Sequence, residues 1–151
     1  MKFDRTRDII EHAVAFHRLL ANHFSELSRK TDNQRLKMLL LYLVDHENAS
    51  SEYLIDYSEN APHKVLDTWF QFSNCEERFG ELKSTLRTDN PDEDSIINTL
   101  ILLYDCMIGQ FKSFADKADV EPVREVFENI AAHEEKEKRK LIRNTRMLND
   151  F

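Results

Sequence analysis

Residues 36–54 read LKMLLLYLVDHENASSEYL, and residues 123–141 read VREVFENIAAHEEKEKRKL. Offset by 87 positions (123 − 36), Leu36 falls on Val123, Leu40 on Phe127, Leu43 on Ile130, His46-Glu47 on His133-Glu134 and Leu54 on Leu141. Apolar residues recur three and four apart in both, the period of a helix with one buried face. The same offset carries on outward without a gap: Ile9 and Ile10 meet Ile96 and Ile97, Phe24 meets Phe111, Leu27 meets Phe114, and Asp32 meets Asp119. Apolar matches alone would follow from any two bundle helices. The repeated His-Glu pair and the matching loop residues make this the duplication of a helical hairpin.

The chain has 151 residues, with only 2 Gly and 3 Pro. Sheets and tight turns use these residues as punctuation, so their scarcity argues for long helices. Helices are expected over about residues 4–29, 33–60, 91–117 and 120–148. Thr31 and Gln34 have the spacing of a capping box for the second, Asn90-Pro91 starts the third and Asp119 the fourth. Residues 61–90 form a long crossover. Its apolar residues, Val65, Leu66, Trp69, Phe70, Phe72, Phe79, Leu82 and Leu86, suit short helical pieces packed across the bundle better than a free linker. The expected fold is all-α: one antiparallel four-helix-bundle domain over 1–151, two helical hairpins joined by a long crossover.

A net charge of −7 opposes binding to nucleic acid or an anionic membrane surface. No apolar run reaches the roughly 18 residues of a membrane span, and the start of the chain lacks a signal-peptide core. Cys75 and Cys106 form no Cys-x-x-Cys motif, so they read as two free thiols in a reducing compartment. The expected location is the cytoplasm. Among catalytic signatures, no phosphate loop, nucleophile elbow or Ser/His/Asp set is visible.

Several polar residues interrupt the apolar stripes. His17 lies between Val14 and Leu20, and Glu47 and Ser50 between Leu43 and Leu54. Tyr104, with Asp105 beside it, lies between Ile101 and Met107, and Glu134 and Glu137 between Ile130 and Leu141. His17 and Glu47 both stand about 21–24 Å from the first hairpin turn at a rise of 1.5 Å per residue. Tyr104 and Glu134 obey the same arithmetic about Ala118. One core layer is therefore expected to hold His17, Glu47, Tyr104, Glu134 and Glu137. Carboxylates buried together need compensation: a cation, a protonated imidazole, a shared proton or water. His46 and His133 point about 100° away from the neighbouring glutamates and read as residues behind the ligand layer or on the surface rather than as ligands. His63 carries no pattern. The basic run Lys136, Lys138, Arg139, Lys140, Arg143 and Arg146 reads as a solvated face near a helix C-terminus.

With two hairpins, a long crossover and this acidic layer, the chain resembles the ferritin-like superfamily, nearest its rubrerythrin-like branch of di-iron carboxylate bundles. There, each hairpin gives a Glu from its first helix and a Glu-x-x-His from its second. The matching positions here are His17 and Tyr104, then Glu47-x-x-Ser50 and Glu134-x-x-Glu137. Glu47 and Glu134 keep the bridging carboxylates; both first-helix glutamates and both motif histidines are replaced. Hemerythrin-like bundles do not match, because no inward His-x-x-x-His pair is present.

Two functional expectations follow. His17, Glu47, Glu134 and Glu137, with Tyr104, Asp105 or Ser50 as lesser candidates, could hold iron, manganese or zinc. Alternatively, the bundle holds no metal and is structural or binds a protein, its acids satisfied by hydrogen bonds. The replaced ligands favour the absence of catalysis; a catalytic form would be an iron- or manganese-dependent oxidoreductase. A second stripe on the first helix, Ile9, His12, Phe16, Leu19 and His23, would cover a second subunit in a homodimer or lie beneath the crossover.

Overall fold

The computed structural model describes residues 2–60, 69–72, 75–87 and 91–149. His63, Val65, Leu66 and Asn90 lie outside the described residues, as do the side chains of His12, Tyr57, Trp69, Phe70, Phe72, Arg146 and Leu148. The four long helices are α1 (Thr6–Lys30), α2 (Gln34–Asn60), α4 (Glu93–Lys117) and α5 (Glu121–Asn149). Between the pairs runs the shorter α3 (Glu76–Leu86). α1 packs along α2, α4 along α5 and α3 against α4, while α2 and α5 join the two hairpins. A small antiparallel ribbon pairs β1 (Lys2–Arg5) with β2 (Trp69–Phe72), tying the start of α1 to the crossover. The sequence reading has helix over the end of β1 and short helical pieces where β2 lies. Neither strand has a strand-like neighbour in sequence, and only the return of the crossover brings them together.

Helix starts differ from expectation by a residue or two, for local reasons. Asn33, rather than Thr31, caps α2: its Oδ1 accepts from the backbone N–H groups of Arg35 (3.0 Å) and Leu36 (3.1 Å). Thr31 instead accepts from the Asn33 N–H at 3.2 Å, a tight turn that seats the cap. Asp92 caps α4 through the Ser95 N–H at 3.2 Å. α5 starts at Glu121, its first turn closing on the Val120 carbonyl.

The apolar interior falls into two clusters. One gathers Ile9, Ile10, Ala13, Leu54, Met107, Phe111, Phe127 and Ile130. The other gathers Leu20, Phe24, Leu36, Leu40, Leu43, Leu82, Ile96, Leu100 and Leu141. On α4, Ile96 and Leu103 are buried where the stripe points to Ile97 and Ile101.

The second stripe of α1 is covered in part by its own chain. Ile9 is buried, and Phe79 of α3 packs edge-on against Phe16 (5.1 Å between ring centres) and His23 (6.1 Å). Leu19 stays exposed.

Cys75 and Cys106 are not free thiols. They form a disulfide, with Cα atoms 6.1 Å apart, that ties the residue preceding α3 to the middle of α4. Their separation of 31 residues has no characteristic spacing, so only the docked crossover brings them into contact.

Candidate functional site

The polar layer lies at the seam between the two apolar clusters. On α1, His17 follows Val14 of one cluster and precedes Leu20 of the other; on α2, Glu47 and Ser50 sit between Leu43 and Leu54 in the same way. His17, Glu47, Tyr104 and Glu134 are wholly buried, and Ser50 nearly so. The helical rise puts them at one height, and the inward face of each stripe turns them toward one another.

His17 is the centre of the layer. Its Nδ1–H donates to Glu47 Oε2 at 2.5 Å, and its Nε2–H donates to Glu134 Oε1 at 3.1 Å. A ring that donates from both nitrogens is an imidazolium. Burial opposes that charge, but the Glu134 and Glu47 carboxylates outweigh it and raise the His17 pKa to about 10. The Tyr104 hydroxyl donates to the second oxygen of Glu47. Burial and then the Glu47 charge push the Tyr104 phenol well above its ordinary range, so it remains a donor at neutral pH.

The remaining candidates separate from this core. Glu137 turns to His46, with Oε2 at 3.7 Å from Nδ1, a distance for an ion pair rather than a hydrogen bond. His46 itself is buried beside the layer rather than on the surface, the two places the sequence leaves open, and burial lowers its pKa. Its 100° offset from Glu47 turns it toward Tyr42 and Tyr104, both of which it meets ring to ring. His133 is partly buried and stacks flat on Tyr53, with ring centres 3.4 Å apart. Asp105 is exposed and bound to Lys138 at 2.7 Å, which removes it from the layer. Lys138 and Arg139 of the basic run also lie near Glu135. Four buried atoms have no hydrogen-bond partner among the described residues: Glu134 Oε2, Ser50 Oγ, His46 Nε2 and His133 Nε2.

A structure search matches the chain to a Thermotoga maritima protein provisionally described as a ferritin-like diiron-carboxylate protein. The match has a TM-score of 0.64 and 19% identity, and covers 97% of both chains. The fold is ferritin-like. No protein-family model and no curated protein matches the sequence.

Within the ferritin-like frame, the donor set does not fit a dinuclear iron centre. The two first-helix positions hold an imidazolium and a phenol, and the two motif histidines are Ser50 and Glu137. Both ring nitrogens of His17 face oxygens of Glu47 and Glu134, so in this arrangement the imidazole turns neither nitrogen toward a free coordination position. Chemically, the layer is a proton held between two buried carboxylates and braced by a phenol. Among the described residues, no group of three or more His, Cys, Asp or Glu side chains is placed to hold a metal ion.

Proposed function

We propose that this chain is a ferritin-like bundle, derived from the rubrerythrin-like type, in which a proton on His17 replaces the metal of the di-iron proteins. It would act as a metal-independent structural or protein-binding bundle rather than an oxygen-activating oxidoreductase. One observation carries the reading: both ring nitrogens of His17 are committed to Glu47 and Glu134. A positive charge between two carboxylates compensates them as a cation would.

The test is metal analysis of protein reconstituted with iron(II), manganese(II) or zinc(II) and then desalted. Less than about 0.1 ion per chain is expected. Stoichiometric metal that disappears in both Glu47→Gln and Glu134→Gln would sink the proposal.

A specific observation favours a second reading. Glu134 Oε2 and Ser50 Oγ are buried without partners among the described residues, and one imidazolium balances only one of the two carboxylates. After losing the His17 protons, His17, Glu47, Glu134 and Glu137 could hold a single ion. Iron is suggested by the likeness to the Thermotoga diiron-carboxylate protein, with manganese and zinc as chemically similar occupants.

Assembly as a homodimer belongs to the same proposal. Leu19, Met38, Leu41 and Leu102 leave apolar side chains exposed, and a sedimentation measurement giving only monomer would remove it. The net charge of −7 supports the absence of a nucleic-acid or membrane partner. Among the described residues, no helix is long and apolar enough to cross a membrane. Residence in the cytoplasm of a mesophile fits the Cys75–Cys106 bond best where that bond is reversible.

A further inference from the structure

Cys75 is the N-cap residue of α3 and makes no side-chain capping bond. It is partly buried against both apolar clusters, which places it at the height of the polar layer. Cys106, also partly exposed, lies two residues beyond Tyr104 on α4. One helical turn after Cys75, Phe79 packs on Phe16, whose ring in turn meets the His17 ring edge-on at 6.1 Å. Leu82, a turn further, is wholly buried in the second cluster. The disulfide therefore fastens one end of a helix that covers α1 beside the imidazolium, while Leu82 anchors the middle of that helix.

We propose that Cys75–Cys106 is a reversible thiol–disulfide site that locks α3 over the polar layer and is opened by a dithiol reductant. The reductant's thiolate attacks Cys106 Sγ, the S–S bond breaks, and Cys75 leaves as a thiolate, favoured there by the positive end of α3. The second thiol of the reductant attacks the mixed disulfide and releases Cys106. Two electrons and two protons pass to the protein, giving two thiols, and the reductant becomes a disulfide. A disulfide oxidant drives the reverse exchange. Once released, the first turn of α3 loses its covalent tie to α4, and the cover over Phe16 and His17 rests on packing by Phe79, Leu82 and Leu86.

The test uses the whole protein purified without reductant, with alkylation mass spectrometry to count thiols and hydrogen exchange to read each helix. Dithiothreitol is expected to expose two thiols and to accelerate the α3 amides at least tenfold more than those of α2 and α5. Oxidised glutathione should restore the slow pattern. Cys75→Ala/Cys106→Ala should show the reduced pattern and ignore dithiothreitol. The proposal is overturned if both cysteines alkylate without reductant even after oxidation. It is overturned equally if α3 is unchanged on reduction, or if all helices accelerate together, as for a purely global staple. Reduction of the unaltered protein decides the matter even if the double variant fails to fold.

Discussion

Tyr104 donates its hydroxyl hydrogen to Glu47, across the bundle, and not to Glu134 of its own hairpin. The duplication makes Tyr104 the counterpart of His17 and Glu134 the counterpart of Glu47. His17 reaches both glutamates, but a phenol has one hydrogen to give. The internal symmetry therefore breaks at this contact: Glu47 has both oxygens engaged, while Glu134 keeps one buried oxygen without a partner among the described residues.

Removing that hydroxyl should cost little volume and one bond to a buried carboxylate. Tyr104→Phe is expected to lower stability by about 1–3 kcal/mol in urea unfolding at neutral pH. A loss below about 0.5 kcal/mol, within the range of ordinary surface substitutions, would mean that water replaces the phenol freely.

His17→Ala leaves Glu47 and Glu134 buried together with no cation between them. A loss of about 3–5 kcal/mol is expected, as when one partner of a buried ion pair is removed. Adding Glu47→Gln and Glu134→Gln should recover part of it, since the uncompensated charges go too. If the triple variant is no more stable than His17→Ala alone, repulsion is not the cause.

The pH dependence follows from the direction of the shift. His17 has a pKa of about 10 in the folded chain against 6.5 ordinarily, so above pH 6.5 the folded state binds more protons than the unfolded one. This contribution is complete below pH 6.5 and is lost as pH rises through about 10. His46 and His133, both lowered from 6.5 chiefly by burial, act oppositely and weaken the fold as the solution is made more acidic than that value. Urea midpoints at pH 7, 8.5 and 10 should fall for the natural protein and fall less for His17→Gln. Parallel curves for the two proteins would contradict the imidazolium.

Metal binding should be recoverable by restoring the donors. His17→Glu, Ser50→His, Tyr104→Glu and Glu137→His together recreate a Glu on each first helix and Glu-x-x-His on each second. The four-fold variant is expected to retain about two iron(II) ions per chain after desalting, where the parent retains almost none. Failure in a variant shown by circular dichroism to be folded would mean that the backbone spacing, and not the ligand set alone, has departed from a metal centre.

The sequence by itself determined the helices, the duplication and the height of the polar layer. All three depend on local regularities: the three-and-four spacing of Leu36, Leu40 and Leu43, the His-Glu pair at 46–47 and 133–134, and a fixed rise per residue. The pairing within the layer was not legible, because spacing sets where a side chain sits and not which acceptor its rotamer finds; so the two hydrogen bonds of His17 and the choice of the inward place for His46 needed the packed bundle. Cap positions moved by a residue or two because Asn33 and Asp92 compete locally with equally plausible neighbours. The crossover was least legible. Its strand, its covering helix and the Cys75–Cys106 bond depend on contacts between segments far apart in sequence, and only closure of the tertiary structure creates those contacts.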